Sequence, residues 1–315
     1  MSSASDGSAV QKLAELKLEL DPEILYNLDS MFPKLTGWGA KGEIKAKHKL
    51  IVRIEGLLKR MLRPKEEVLY VAKGVQHKFS EQYFLGVWAA LINQTVFVLT
   101  NLRLLMLHTD TRGRPRHTFW MIFYNQITKF KSTWTGSIAL DLKDGGKFRF
   151  AGFKGTDRKQ MPAIFQQAVA TYRELGFEPS VTQSRENLCG NCLAVVPKDR
   201  YQCEQCSQEF WKAGEVGLRS FLLPPWGSLV LGHIGLGIFE SLGYTVTWIV
   251  FFVWLMSSLG DAAAFTEAVI TIAIVLGIEH TIAASLHYFI AKKGLVPKGH
   301  PQTVVVIAPI ESAEV

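Results

Sequence analysis

The chain has 315 residues, of which 48% are hydrophobic and 11% aromatic, and it carries 35 Lys and Arg against 28 Asp and Glu. This apolar fraction excludes a mainly disordered protein, and the length predicts more than one domain. The charge is unevenly spread, because residues 1–219 hold 32 basic and 22 acidic side chains whereas residues 220–291 hold no Lys or Arg. The sequence therefore predicts a basic, water-exposed part followed by a membrane-embedded part.

Residues 1–33 are interpreted as a leader with short helices. Their Ser-rich start lacks the basic and apolar regions of a secretory signal peptide. After residues 1–9, apolar spacing predicts two short helices, the second with Asp21 as its N-cap and Pro22 in its first turn.

Residues 34–65 contain ten basic and only two acidic side chains. Apolar residues between Leu50 and Leu62 recur at helical spacing and Pro64 follows, which predicts one basic amphipathic helix. Two interpretations stay open: its apolar side lies on an anionic membrane, or that side packs on the next domain. The cations of this helix that would bind lipid or a partner are Lys45, Lys49, Arg53, Lys59, Arg60 and Arg63.

From residue 66 to residue 153 the hydrophobic pattern changes to the period that is typical of β-strands. Seven short runs rich in β-branched and aromatic residues are separated by Gly-, Asn- and Pro-containing turn signals. An amphipathic helix is expected over about residues 156–175. Seven strands and one helix predict a small barrel or sandwich over residues 66–178, with an apolar insertion at residues 79–94 that forms a helix or loop.

Three motifs in this region carry a resemblance to a known family. They are L-T-N-x-R at residues 99–103, W-x-I-x-Y-x-Q-I at residues 120–127, and a K-D-G hairpin before F-x-F-x-G-F at residues 148–153. The region resembles the bacterial pleckstrin-homology-like (PH-like, GRAM-related) domains, which implies an α+β fold with a β-barrel or sandwich closed by a C-terminal helix. Such domains display ligands on loops, but no lipid-binding motif of the family matches here. A basic loop supplies further candidates for lipid or partner binding, with a solvated face as the alternative: Arg112, Arg114 and Arg116.

The four cysteines all fall within 18 residues, as C-x2-C, ten residues and C-x2-C. Each pair aims two thiolates at one point, and a hairpin between the pairs would complete a tetrahedral S4 site, the geometry of structural zinc. Iron is the minor alternative. Residues 186–211 resemble the small zinc ribbons of many bacterial and archaeal membrane proteins, which implies a structural Zn²⁺ without an open position for water. The predicted ligands are Cys189, Cys192, Cys203 and Cys206. A cysteine metal site of this kind is typical of a protein in a reducing compartment.

Residues 220–293 are predicted to form a membrane domain with two transmembrane helices. The crossings are expected over about residues 241–259 and 265–290, since roughly 20 apolar residues cross the hydrocarbon core. Basic residues flank the pair and acids lie in the link, so the positive-inside rule predicts a multi-pass protein of the inner (cytoplasmic) membrane. Both termini, including a tail over residues 294–315, are then cytoplasmic. The alternative is a buried helical hairpin of a soluble domain.

The two ends of this domain resemble two-helix membrane domains that begin L-P-G-x-G-x-x-Y-x-G-H and often follow a zinc ribbon. Pro225 stands in place of the first Gly, and Val230 stands in place of the Tyr. The resemblance implies a membrane anchor with no assigned chemistry.

Four ionisable residues fall within this apolar region: Glu240, Glu279, His280 and His287. Ionisable groups inside a membrane are costly and call for an explanation. One interpretation is that Glu240 and His287 form a hydrogen bond that locks the hairpin. The other gives Glu279 and His280 a proton or ion role.

The sequence contains no H-E-x-x-H, G-x-S-x-G, G-x-x-x-x-G-K-[ST] or strand-following G-x-G-x-x-G motif, so we expect a protein that is not an enzyme. The leading hypothesis is a membrane-anchored adaptor that binds membrane lipids or a protein partner at the cytoplasmic face. The alternative is a subunit of an oligomeric transport or channel assembly, which includes a homo-oligomer. Nucleic-acid binding is disfavoured, because Lys198 and Arg200 are the only cations between the cysteine pairs.

Overall fold

The computed structural model describes residues 8–76, 83, 85–174 and 176–299, and it divides the chain into two compact units, Met1–Gln208 and Glu209–His300. Most of the predicted tail, residues 300–315, and the first residues of the predicted leader lie outside the described residues. So do residues 79–82 and 84 of the apolar insertion, whose last part forms helix α5 (Val87–Ile92). The two units are taken in turn.

The first unit is built on one sheet in which every pair of neighbouring strands is antiparallel. Its order is β5-β6-β7-β1-β2-β3-β4-β8-β9, so β5 and β9 are the edges. The first seven strands confirm the seven predicted runs. The strands are β1 (Val68–Gln76), β2 (Gln94–Thr100), β3 (Arg103–Thr109), β4 (Pro115–Phe123), β5 (Ile127–Ser132), β6 (Ile138–Leu142), β7 (Lys147–Ala151), β8 (Glu186–Leu188) and β9 (Val195–Val196).

The central strands are covered on both faces, which explains why they are apolar almost throughout. In β2, Phe97 and Leu99 belong to a core with helix α6 (Gly155–Glu174), the predicted C-terminal helix. Val96 and Val98 of the same strand belong to a second core, formed with the N-terminal helices. Strands of this sheet therefore sit between two helical layers.

The N-terminal layer corrects the prediction of one helix over residues 34–65. The segment forms α3 (Ala40–Val52) and α4 (Glu55–Met61), separated at Arg53 and Ile54. Ile51, Val52 and Ile54 are β-branched and disfavour a continuous helix. The break lets both helices turn their apolar residues into the core, where Ile51, Ile54 and Leu58 are fully buried.

The prediction that Asp21 caps a helix is wrong. Helix α1 (Ala9–Glu15) forms as expected, but Asp21 begins a turn in which its carboxylate accepts the amide hydrogen of Glu23. The next helix, α2 (Leu28–Met31), starts after Asn27. The chain is extended just before it, because its backbone pairs with Val68 of β1.

The L-T-N-x-R motif has a structural role at the end of β2. Arg103 and Glu66 form a buried bidentate ion pair, with Nε–Oε1 and Nη2–Oε2 distances of 3.0 and 2.9 Å. Arg103 also donates to the carbonyl of Met61, and Thr100 donates to Glu66 at 2.8 Å. This network joins helix α4 to the sheet.

The second unit consists of α7 (Ala213–Leu222), α8 (Pro224–Val230), α9 (Ile234–Ser257) and α10 (Ala262–Ala291). Helices α9 and α10, of 24 and 30 residues, are long and apolar enough to cross a membrane, and they contain the second predicted crossing and the first as far as Ser257. In their most apolar stretches only 17% and 0% of the residues are buried. Their apolar side chains are therefore largely exposed.

The two ends of the second unit are tied together. Residues 209–211 run beside residues 296–298, with Trp211 N–H donating to the Val296 carbonyl at 2.9 Å and Lys298 N–H to the Glu209 carbonyl at 2.8 Å. The Lys298 ammonium lies 2.9 Å from a Glu215 carboxylate oxygen. That contact lowers the pKa of Glu215.

Candidate metal centre and cationic cavity

The four cysteines lie on two loops with the same backbone geometry. In the first, the Cys189 carbonyl accepts from Leu193 N–H and Cys189 N–H donates to the Ala194 carbonyl. In the second, the Cys203 carbonyl accepts from Ser207 N–H, and Cys203 N–H donates to the Gln208 carbonyl. Each loop thus presents its two thiols on the same side of a tight turn.

The residue after the second cysteine of each pair, Leu193 or Ser207, has a left-handed φ, of 66° and 58°. Neither residue is glycine, so no glycine in the sequence marks these two conformations. Gly190 is required for a close approach, because a Cβ there would lie 2.3 Å from the carbonyl oxygen of His117 in β4.

The thiols converge from both loops. The Cys189–Cys206 and Cys192–Cys203 Sγ distances are both 3.5 Å, and all four sulfurs lie within 4.8 Å of one another. Four sulfurs at about 2.3 Å from a central ion would be about 3.8 Å apart in a tetrahedron. The cluster can therefore hold a metal ion.

Burial opposes thiolate formation at two of the ligands. It raises the pKa of Cys189 to about 11, and it also raises the pKa of Cys192. A metal ion binds thiolates and displaces their protons. Without a cation, the Cys189 and Cys192 sulfurs would stay protonated at neutral pH.

The cluster of four cysteines is joined to the sheet. Strand β8, which leads into Cys189, pairs with β4 through Phe119, Trp120 and Met121. The predicted domains 66–178 and 186–211 therefore share one sheet and one compact unit. Phe210, near the end of the predicted 186–211 segment, belongs to the second unit, where it pairs with Pro297.

Three of the predicted lipid- or partner-binding cations have partners within the first unit. Lys59 forms ion pairs with Asp21 and Glu23 at 2.6 and 3.0 Å. Arg60 donates to the carbonyl of Asn191 in the first cysteine loop at 2.6 Å. Arg63 lies over the rings of Phe123 and Phe177.

The interpretation that the apolar side of this basic segment lies on a membrane is wrong. Ile44, Ile51 and Leu58 are each at most 2% exposed, and they pack in the core against the sheet. The alternative interpretation, packing on the next domain, is the one the structure shows. Lipid contact by this segment would have to use its cations alone.

Three other predicted cations meet at one cavity of about 520 Å³: Lys49, Arg53 and Arg112 line it. Lys45 and Arg114 are exposed and lie outside it, and Arg116, also outside it, has its pKa lowered by burial. Two of the remaining cations of this cavity belong to the same basic segment, and the other two come from β1 and from the connection after β7, which sequence reasoning did not link to it. The four are Lys34, Lys47, Lys73 and Lys154.

In the second unit, the structure brings Glu240 and His287 together. His287 is fully buried, and its Nε2 lies 2.8 Å from Ser228 Oγ and 3.4 Å from Glu240 Oε1. In a catalytic triad the serine and the acid contact opposite ring nitrogens. Here both contact the same nitrogen, which suits a structural link between α8, α9 and α10.

Glu279 and His280, the other pair of predicted intramembrane residues, have different surroundings. His280 Nε2 lies 3.2 Å from the Tyr244 hydroxyl, and its Nδ1 is hydrogen-bonded to the Phe221 carbonyl. Within the described part of the chain, Glu279 has no hydrogen bond or ion pair. Tyr244 is the only ionisable side chain hydrogen-bonded to His280 among these residues.

No known protein family and no curated protein matches the sequence. Among solved structures, the chain is similar to one described as the C-terminal domain of an unknown protein from Leishmania infantum. The two are 12% identical, the similarity covers 41% of this chain and 97% of that one, and the TM-score is 0.25. A likeness at this level carries no conclusion about fold or function.

Proposed function

We propose that this protein is a non-enzymatic adaptor, anchored by α9 and α10 in the cytoplasmic membrane, that presents its first unit to lipids or to a protein partner. The observation that carries the proposal is the exposure of apolar side chains along two helices of 24 and 30 residues. In water such faces would drive aggregation, whereas in a bilayer they are solvated by lipid.

The presented unit is proposed to be a PH-like domain. The strand order supports this, because β7, β6 and β5 lie on one side of β1 and β2, β3 and β4 lie on the other. Helix α6, which follows β7 in the chain and packs on the sheet, also supports it. Two additions distinguish it: the N-terminal helical layer and the cysteine loops that extend the sheet through β8.

The metal is proposed to be Zn²⁺. Four thiols in two matched loops form a donor set that suits zinc, and all four tetrahedral positions would be occupied by protein sulfur. The ion would cross-link the cysteine loops to the sheet edge formed by β8 and β9. Its role would be structural.

Both termini are proposed to be cytoplasmic. The pairing of residues 209–211 with residues 296–298 supports this, because it holds the two flanks of the helical pair side by side. Those flanks carry Arg219, Lys292 and Lys293, as the positive-inside rule requires of the cytoplasmic side. Reporter fusions at the two termini would measure the topology.

The adaptor role is tested by crosslinking in the native membrane. A photoreactive amino acid at Arg114 or Lys45 of the full chain is expected to form discrete adducts with a protein or a lipid. Trp134, 98% exposed on the β5–β6 loop, is the control position away from these cations. Absence of adducts from both basic positions would show that the unit presents no binding surface there.

A further inference from the structure

The cavity of the first unit is strongly cationic. Seven Lys and Arg residues line it, against two acids, Glu43 and Asp157. Helix α3, the segment before it and the break after it supply four of the cations, and β1, the β3–β4 loop and the β7–α6 connection supply the others. Only the Lys47 and Asp157 side chains form an ion pair among these described residues, with an Nζ–Oδ1 distance of 3.5 Å.

Lys73 and Arg53 are held by backbone carbonyls and have no ion pair among the described residues, whereas Lys47 has both a carbonyl and the Asp157 carboxylate as partners. Lys47 donates to the Met31 carbonyl at 3.0 Å, Lys73 donates to the Thr111 carbonyl, and Arg53 donates to the Arg112 carbonyl. A carbonyl orients a cation but leaves its formal charge. Each of these side chains also has further N–H donors that could bond to an anion.

The cavity is closed on one side by the β3–β4 loop. Gly113 in that loop has a φ of +84°, and a Cβ there would lie 2.6 Å from Leu50 of α3. This close approach brings Arg112 to the cavity rim near Lys49 and Arg53. Glycine at this position therefore helps to place cations from two distant segments around one space.

Apolar side chains form the floor of the same cavity. Met31, Phe32 and Ile44 line it and are at most 3% exposed, and Val71 of β1 lies beside them. A ligand that fits this arrangement has an anionic group for the rim and an apolar portion for the floor. Phosphate esters combine these features, and Lys and Arg bind phosphate oxygens through charge-assisted hydrogen bonds.

We infer that this cavity binds a phosphate monoester whose organic portion is apolar, either the headgroup of a phospholipid or a soluble ester. The inference rests on the proposed binding role of the first unit and names the ligand class of one site in it. Much of the site comes from residues before 66, which lie outside the region that resembles PH-like domains.

The test is calorimetric titration of the full chain, in maltoside micelles, with phenyl phosphate. Lys49→Gln and Lys154→Gln each remove an exposed cation that has no ion pair or hydrogen bond among the described residues, so neither change should disturb folding. Each is expected to weaken phenyl phosphate binding by about tenfold. Lys41→Gln, an exposed position of the same helix outside the cavity, is expected to change the affinity by less than about twofold.

A second readout follows from Lys47, whose pKa burial lowers to about 8. A phosphate nearby favours the charged ammonium, so binding at pH 8 should take up protons. Calorimetry in buffers of different ionisation enthalpy measures that uptake. Inorganic phosphate should bind more weakly than phenyl phosphate, because it cannot use the apolar floor.

The source of the ester is distinguished in phosphatidylcholine nanodiscs with and without phosphatidic acid. If phosphatidic acid in the nanodisc competes with phenyl phosphate, the natural ligand is a bilayer lipid. If it does not compete, the natural ligand is a soluble ester. Failure of the wild type to bind phenyl phosphate, equal affinity for inorganic phosphate, or unchanged affinity in Lys49→Gln and Lys154→Gln would overturn the inference. Because micelles supply no bilayer anchor, phenyl phosphate binding can fail or succeed independently of the proposed membrane anchoring.

Discussion

Valine, leucine and phenylalanine side chains fill the interior of the first unit but lie on the surface of the second. Val98 of β2 is fully buried between the sheet and the N-terminal helices, whereas Val250 and Phe252 of α9 are 56% and 61% exposed. The residue types are the same, and only their surroundings differ. The contrast teaches that the first unit buries its apolar side chains, whereas the long helices of the second leave theirs exposed, as the proposed position in a bilayer requires.

Polar groups follow the same contrast. In the first unit, the buried Arg103–Glu66 pair satisfies its hydrogen bonds within a dry core. In the second, Ser228 and Glu240 both contact Nε2 of the buried His287, between helices that otherwise present apolar faces, while His287 Nδ1 and Glu240 Oε2 are buried without a partner among the described residues. Four predictions test how far this difference extends, from the largest expected effect to the smallest.

Loss of the metal is expected to affect only the first unit. Cys203→Ser should abolish stoichiometric metal binding and disorder β8 and β9, since structural zinc contributes on the order of 10 kcal/mol to small zinc modules. Metal analysis and hydrogen exchange of the full chain measure both effects. Ser207→Ala, next to a ligand but not a ligand, should retain the metal. Full metal content in Cys203→Ser would contradict the four-sulfur site.

Breaking the buried Arg103–Glu66 ion pair should have the next largest effect on stability. Arg103→Met leaves Glu66 buried and unpaired, and we expect a loss of about 3–5 kcal/mol in the free energy of unfolding. The double variant with Glu66→Leu should recover much of that loss. Arg149→Met removes the exposed partner of Asp141 and should cost less than about 1 kcal/mol. Equal losses for the two arginines in urea unfolding would show that burial does not set the difference.

A charge on the exposed face of α9 distinguishes lipid from water as its solvent. Val250→Lys should cost about 3 kcal/mol in membrane insertion, because a lysine near the centre of the hydrocarbon is poorly solvated. Val10 is similarly exposed, at 60%, on a helix of the first unit, and Val10→Lys should be neutral. Glycosylation-based insertion assays give the comparison. A neutral Val250→Lys would mean that α9 faces water.

The pH dependence of stability tests the buried cation. The pKa of Lys47 is about 8 in the folded state and 10.5 in the unfolded state, so the unfolded state binds more protons between these values. The free energy of unfolding should therefore rise from pH 8 to 10.5, by about 2 kcal/mol after allowance for partial exposure. The difference between the wild type and Lys47→Met isolates this contribution. A difference that stays constant over this window would contradict a lowered pKa.

The strands and the cysteine ligands were predictable because their signals are local. Turn residues separate the seven runs, and alternation is not needed when both faces are covered, as Val96 and Phe97 show in β2. The spacing of four cysteines likewise specifies convergence. The positive φ at Leu193 and Ser207 was not predictable, since the metal loops impose it on residues that do not prefer it.

What the sequence did not reveal depends on tertiary contacts. The break between α3 and α4 is favoured locally by β-branched residues, but it also depends on burial of Ile51 and Ile54 against the sheet, which the local sequence does not specify. The cavity unites Lys49, Lys73 and Lys154 from segments that pairing and loop closure bring together. The charge count shows that residues 34–65 are basic, but it does not show which of their cations line the cavity.

The central claim is that α9 and α10 cross a bilayer. Alkaline carbonate extraction of membranes from cells that produce the full chain tests it most directly, because this treatment releases peripheral proteins and retains integral ones. We predict that the protein stays entirely with the membrane pellet and needs detergent to be solubilised. Release into the supernatant as a monomer stable without detergent would contradict the account.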